Sequence, residues 1–211
     1  MSQKSIAVIG ASKGIGFSTA VLALERGWKV RTLSRSPLSL PKNENLTEII
    51  GSALDPDKVK ETIQSVKSIV LCIGHPITWR EVTLFSKATK VLIDSMLGWN
   101  PKAYLLVVTG IGTGDSVGHG GFAHDKIVKP LFLRKIYQDK ERQEKLVRES
   151  NLDWTIVRPG FLTDGPLTTV YRCLDNLKDV KAGKISRMDC ADFLEREADA
   201  KVWKGRSVLI G

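Results

Sequence analysis

An α/β fold, built as a doubly wound parallel sheet with helices on both faces, is predicted for this sequence by three observations. Short apolar runs alternate with segments of helical periodicity from residue 5 to the C-terminus, the pattern of parallel strands joined by crossover helices. The first run, Ile6-Ala7-Val8-Ile9, leads directly into glycines at 10, 14 and 16; in such a sheet this turn lays bare backbone against a phosphate at a helix N-terminus. The length, 211 residues, suits one domain with a full core, so residues 1–211 are expected to fold as one unit.

In chain order, the first strand is expected at Ser5 to Ile9. The helix after the glycines carries Ala20, Val21, Leu22 and Leu24 until Gly27 stops it. A second strand runs from Lys29 to Leu33. The residue closing this strand, about 20 positions past the glycines, reads the coenzyme ribose: a carboxylate accepts from a 2′-hydroxyl, whereas an arginine receives a 2′-phosphate. Here that place holds Ser34-Arg35 and no carboxylate, and Lys13 offers a second cation from within the glycine loop. NADP(H) is therefore expected over NAD.

A loop from Pro37 to Asn45 precedes a third strand near Leu46 to Ile50. Asp55-Pro56-Asp57 opens a helix through Val59 and Ile63. Ser68 to Ile73 is a continuous apolar run, the mark of a buried parallel strand, and ends at Gly74-His75-Pro76. From Trp79 to Gly98, apolar residues at 82, 85, 88, 91, 92 and 96 predict one long helix. Lys102 to Val108 is the next buried strand, left by the loop Thr109 to Gly114. A charged helix follows at Ile136 to Glu149, then a sixth strand at Asp153 to Val157 ended by Arg158-Pro159-Gly160. Pro166 to Lys184 reads as irregular, Asp189 to Glu197 as helix and Arg206 to Ile210 as a last strand. Substrate specificity is expected in the least regular parts, 113–136 and 163–186.

Composition excludes several classes. Hydrophobic residues make up 42% and charged residues 26%, ordinary for a globular domain. No apolar run approaches the roughly 18 residues of a membrane span. The N-terminus enters a strand without a cleavable apolar region, so a cytoplasmic protein without membrane contact is expected. The net charge of +9 is spread along the chain and lacks the aromatic interleaving of a nucleic-acid surface, so it is read as a solvated face that attracts an anionic coenzyme, with no nucleic-acid partner. Cys72, Cys173 and Cys190 match no zinc or redox spacing and are expected as core thiols. Asp115, His119, His124 and Asp125 have no diagnostic ligand spacing, and no metal is expected.

With these pieces in order, the sequence resembles the short-chain dehydrogenase/reductase superfamily, and within it the atypical NAD(P)H-binding branch of NmrA-like and biliverdin/flavin-reductase-like proteins. The resemblance runs over essentially the whole chain. It is carried by GASKGIG (10–16), LSRS (33–36), the glycine ending LCIG (71–74), the segment 139–166 and SRMDCADFL (186–194). It implies a Rossmann fold in which Gly10, Ser12, Lys13, Gly14, Ile15 and Gly16 hold the phosphates. Ser34 and Arg35 would take the 2′-phosphate side, Ala53, Leu54 and Gly74 the adenosine half, and Pro159, Gly160 and Phe161 the nicotinamide.

The same resemblance implies a Tyr-x-x-x-Lys pair working with a Ser or Thr, in which the Tyr hydroxyl donates a proton to the substrate carbonyl and the Lys holds the ribose. The lysine matches Lys140, but four residues earlier stands Ile136; Tyr137 is one residue late, about 100 degrees around a helix. The usual catalytic Ser is replaced by Thr109-Gly110. The candidate catalytic residues are thus Thr109, Tyr137 and Lys140. The expected function is an NADPH-dependent oxidoreductase acting on a small carbonyl, quinone or flavin-like acceptor, monomeric or homodimeric. Its rival is a non-catalytic NADP(H)-binding redox sensor, which the displaced Tyr and missing Ser favour.

Overall fold

The computed structural model describes residues 3–121, 128 and 133–211. Its elements in order are β1 (Ser5–Ile9), α1 (Gly14–Glu25), β2 (Lys29–Ser34), β3 (Leu46–Ile50), α2 (Pro56–Ile63), β4 (Ser68–Leu71), α3 (Leu84–Trp99), β5 (Tyr104–Val108), α4 (Arg134–Arg148), β6 (Trp154–Pro159), β7 (Phe161–Thr163), β8 (Cys173–Leu174), β9 (Lys184–Ser186), α5 (Arg187–Ala200) and β10 (Arg206–Ile210). Among the described residues eight strands form one sheet in the order β3-β2-β1-β4-β5-β6-β10-β8. All its pairings are parallel except β10 with β8. The expected α/β architecture is therefore present.

The sheet is buried on both faces, and strand alternation sorts its residues between two cores. Ile6, Val8, Leu106 and Val208 pack with Ala20 and Ala23 of α1 and Phe193, Leu194 and Ala198 of α5. Ala7, Ile9, Leu105, Val107 and Ile156 pack instead with Val59 and Ile63 of α2, Leu92 and Met96 of α3 and Val147 of α4. Side chains alternate between the two faces, and because neither face of the central strands β1, β4 and β5 meets water, these read as nearly continuous apolar runs. Strand order reverses between β1 and β4, which opens a crevice beyond their carboxyl ends.

Three expectations need correction. The helix expected from Trp79 starts at Leu84. Its first turn is capped by a carboxylate of another helix: Asp139 Oδ2 accepts from the backbone N–H groups of Phe85 (2.8 Å) and Ser86 (3.3 Å). Apolar periodicity cannot report a cap supplied from 53 or 54 residues away. Residues 166–184, expected to be irregular, contain β8, and 161–186 supplies the parallel pair β7-β9, strands of 2 to 3 residues that leave no period. Of the three cysteines, Cys190 is a core thiol, whereas Cys72 and Cys173 are only partly buried. No helix among the described residues is long and apolar enough to cross a membrane.

Candidate functional site: the crevice beyond the carboxyl ends of the strands

The turn between β1 and α1 owes its path to two glycines with no room for a side chain. A Cβ on Gly10, at φ +94°, would clash with the Cys72 carbonyl oxygen at the end of β4, and one on Gly16 would clash with the Gly10 carbonyl. The loop is thereby pressed between β4 and the start of α1. Gly14 is different. It also has positive φ (+64°), but the nearest atom to its added Cβ is Arg187 Nε, at 3.9 Å, so its backbone faces open space. The N-cap of α1, Lys13, makes no side-chain cap bond, and the first turn holds no acidic residue. The positive end of α1 and the first-turn N–H groups other than that of Gly16 are left for an anion.

The predicted coenzyme residues lie at the carboxyl ends of the strands or in the turns that follow them. Ser12 and Lys13 are exposed in the turn and Ile15 is buried beneath it. Ser34 ends β2 and its hydroxyl donates to the Ser36 carbonyl at 2.6 Å, shaping the bend that exposes Arg35. Neither Lys13 nor Arg35 has a hydrogen-bond or ion-pair partner among the described residues. The turn after β3 is held by Ser52, whose Oγ accepts from Leu54 N–H at 3.1 Å; Leu54 is exposed and Ala53 half-buried. Gly74 is exposed, with nothing near its added Cβ. Gly160 has a scaffold reason to lack a side chain, because a Cβ would run into the Gly183 carbonyl. Pro159 before it is buried and Phe161 after it is exposed.

Two of the three candidate catalytic residues, Thr109 and Lys140, meet at the end of β5, but not in the expected roles. Lys140 Nζ donates to the Thr109 carbonyl oxygen. Burial pushes its ammonium down to about 8, against the opposing pull of Cys72 and Glu144. The Thr109 hydroxyl, expected to orient a substrate, instead donates to Glu144 Oε1 at 2.8 Å, and the residue is 4% exposed. Tyr137 is half-buried against Val82, Phe85 and Ile136; Ile136, in the place of the family tyrosine, is core.

Glu144 is the centre of a buried ionic network that the sequence did not disclose. Arg158 binds it with a two-pronged contact, Nε to Oε1 at 3.0 Å and Nη2 to Oε2 at 2.7 Å, and both side chains are essentially inaccessible. Thr113 and Arg148 also donate to it, and Arg158 Nη1 reaches Asp115 at 2.6 Å. Burial alone would raise the Glu144 pKa, but Arg158 and the two threonine hydroxyls outweigh it and hold the carboxyl at about 2. Gly114 is enclosed by the same network: a Cβ would stand 2.7 Å from Arg158 Nη2.

Cys72, expected only as a core thiol, lies beside the glycine loop, where its sulfur accepts from the Gly16 N–H; burial pushes its thiol up to about 12, against Lys140. The substrate segments expected at 113–136 and 163–186 do touch. His119 Nδ1–H donates to the Val180 carbonyl at 2.8 Å, and Ala182 N–H to the His119 carbonyl at 2.9 Å. They enclose an open cleft of about 530 Å³ lined by Asp115, His119, Asp175 and neighbours. None of its lining residues belongs to the glycine loop or β2, so it is a separate groove near the β10-β8 edge. His124 and Asp125 lie outside the described residues. No cluster of three or more metal-ligating side chains occurs among the described residues.

A doubly wound sheet with a glycine turn, an uncapped helix N-terminus and free cations at its switch point defines a Rossmann-type dinucleotide-binding protein. The chain belongs to the NAD(P)H-binding family, whose model matches residues 10–201. Solved structures of similar fold include ChuY, an anaerobilin reductase from Escherichia coli O157:H7 (21% identity, 98% of this chain and 96% of that chain, TM-score 0.78). Another is a short-chain dehydrogenase/reductase from Veillonella parvula in complex with NADP (18%, 100% and 95%, 0.81). A third, assigned as an NADH-flavin reductase, comes from Streptococcus pneumoniae (20%, 98% and 98%, 0.78). At these identities the likeness speaks for the fold.

Proposed function

We propose that the protein is a cytoplasmic NADPH-dependent reductase that passes a hydride to a flat conjugated acceptor, such as a quinone or a flavin-like compound, or to a small carbonyl compound. The observation that carries the coenzyme choice is the pair Lys13 and Arg35, two exposed cations without partners among the described residues, beside a strand end that holds no carboxylate. A 2′-phosphate would meet charge there and no repulsion. The acceptor class is supported by the apolar residues beyond β4 and β6: Ile77 (63% exposed), Trp79 (75%), Phe161 (38%) and Leu162 (40%) suit a planar apolar face better than a charged one.

NADPH brings the hydride when bound. The chain's own part is to seat the coenzyme on Gly10 to Gly16, place Lys140 at the end of β5 and shelter the crevice with buried strand ends. A reduced carbonyl or quinone also needs a proton. Thr109 is engaged by Glu144, so the proton would come from solvent or from Tyr137, which packs against Phe85, the ring that Lys140 Nζ also faces.

That engagement favours a second reading, a non-catalytic NADP(H)-binding sensor. Turnover separates the two. The reductase reading expects NADPH oxidation, followed at 340 nm, with at least one member of a panel of quinones, flavins and aldehydes. Tight NADPH binding without turnover on any of them would leave the sensor.

A further inference from the structure

The first turn of α5 touches both sides of the crevice. Its N-cap, Ser186, donates its hydroxyl to the Pro166 carbonyl at 2.9 Å. Asp189 accepts from the backbone N–H groups of Thr168 (2.7 Å) and Thr169 (2.8 Å) and from the Thr168 hydroxyl (2.9 Å). The segment after β7 is thus strapped to the start of α5. Between these two residues stands Arg187, whose side chain leaves the strap and extends toward the coenzyme loop: its Nε lies 3.9 Å from a Cβ built on Gly14.

In this structure Arg187 Nη1 is paired with Asp164 Oδ1 at 2.5 Å. The two side chains are 33% and 90% exposed, and a pair so open to water contributes little to stability. The guanidinium therefore stands over the one glycine of the loop whose backbone is uncovered, beside an α1 N-terminus with no capping side chain, and its carboxylate partner is readily exchanged.

We propose that Arg187 is a ligand of the coenzyme pyrophosphate, held by Asp164 until the coenzyme binds. The inference rests on the coenzyme lying on the Gly10 to Gly16 loop. A pyrophosphate at Gly14 offers the guanidinium two oxygens and a full charge in place of one solvated carboxylate. Transfer of Arg187 from Asp164 to the phosphates would release one of the contacts that hold the segment after β7, and so couple coenzyme binding to the acceptor side of the crevice. Its specificity is distinct from that of Arg35. The pyrophosphate is common to NADPH and NADH, so Arg187 should strengthen both alike.

The test is calorimetric titration of the full chain with NADPH and, separately, NADH, for wild type, Arg187→Ala, Arg187→Lys and Asp164→Asn, with thermal melts to check folding. Arg187→Ala is expected to weaken both coenzymes by the same factor, about tenfold, the scale of one charge-assisted contact. Arg187→Lys should fall between, keeping charge without the fork. Asp164→Asn should tighten both by about threefold, because the competing carboxylate charge is gone; this variant carries the test should Arg187→Ala melt early. Unchanged affinities in Arg187→Ala, a loss confined to NADPH, or weaker binding in Asp164→Asn would overturn the proposal while wild type still binds. Wild type that binds neither coenzyme would overturn both this proposal and the coenzyme reading beneath it.

Discussion

Two arginines mark opposite sides of the same crevice. Arg35, beyond β2, is exposed and has no partner among the described residues; Arg158, at the end of β6, is fully buried with its donors matched by Glu144 and Asp115. An arginine in the first condition is inexpensive to the fold and ready for a ligand. In the second it is scaffold, because a buried charge is tolerated only when paired. Position near the cleft does not by itself separate ligand residues from architecture; the state of the donors does.

The comparison breaks first at the buried side. Arg158→Met leaves Glu144 buried without its principal partner, and Glu144→Gln leaves Arg158 in the same position. Each is expected to lower stability by about 3 to 5 kcal/mol in urea unfolding, with the double replacement by apolar residues recovering most of that loss. If either single variant were as stable as wild type, the network would not be the anchor of the 109–115 loop.

The same pair sets an acid limit. Glu144 is held at about 2, below its ordinary 4.5, so the unfolded chain binds the proton more readily between these values. Stability from this carboxyl is fully present above pH 4.5 and is lost as pH falls toward 2, about 3 kcal/mol over the window. Denaturant titrations at pH 5, 4 and 3 should show the fall, and Glu144→Gln should flatten it; parallel slopes in both proteins would contradict the assignment.

On the exposed side the expected signature is inverted. Arg35→Ala should leave stability within about 0.5 kcal/mol but weaken NADPH by about 1.5 to 3 kcal/mol, with NADH little affected. Equal loss for the two coenzymes would remove Arg35 from the 2′-phosphate.

These two sides also differ in how much the sequence disclosed. The coenzyme side is built from local signals: an apolar run, glycines that must approach backbone, and a strand end whose residue type reports the ribose. These survive in a linear reading because β1, its turn and β2 are contiguous. The other side is assembled from distant residues. Asp139 caps a helix 53 and 54 residues away, Glu144 collects Thr109, Thr113 and Arg158 from separate loops and strands, and Arg187 reaches Gly14 only because α5 packs against α1. Thr109 was legible as a hydroxyl at the right strand end but not as one already bound to a carboxylate.

Tyr137 is where that boundary can be sharpened, with the smallest expected effect. Helical spacing puts Tyr137 three residues before Lys140, so the two lie about 60 degrees apart on α4 and not in the usual register of four; Ile136 takes the usual place and turns into the core. The ring of Tyr137 packs with Val82 and Phe85, and the phenylalanine variant keeps that packing, so Tyr137→Phe should be nearly neutral in stability. Any change in kcat then isolates the hydroxyl. A proton donor in general acid catalysis is worth about 100-fold or more, whereas a tyrosine that only packs should leave kcat within about twofold. The shifted register turns Tyr137 away from the line of Lys140 on α4, so a fall smaller than a true donor's, about tenfold, is expected, with water completing the transfer. An unchanged kcat would assign the proton to solvent and leave Lys140 the only member of the family pair with a part in the reaction.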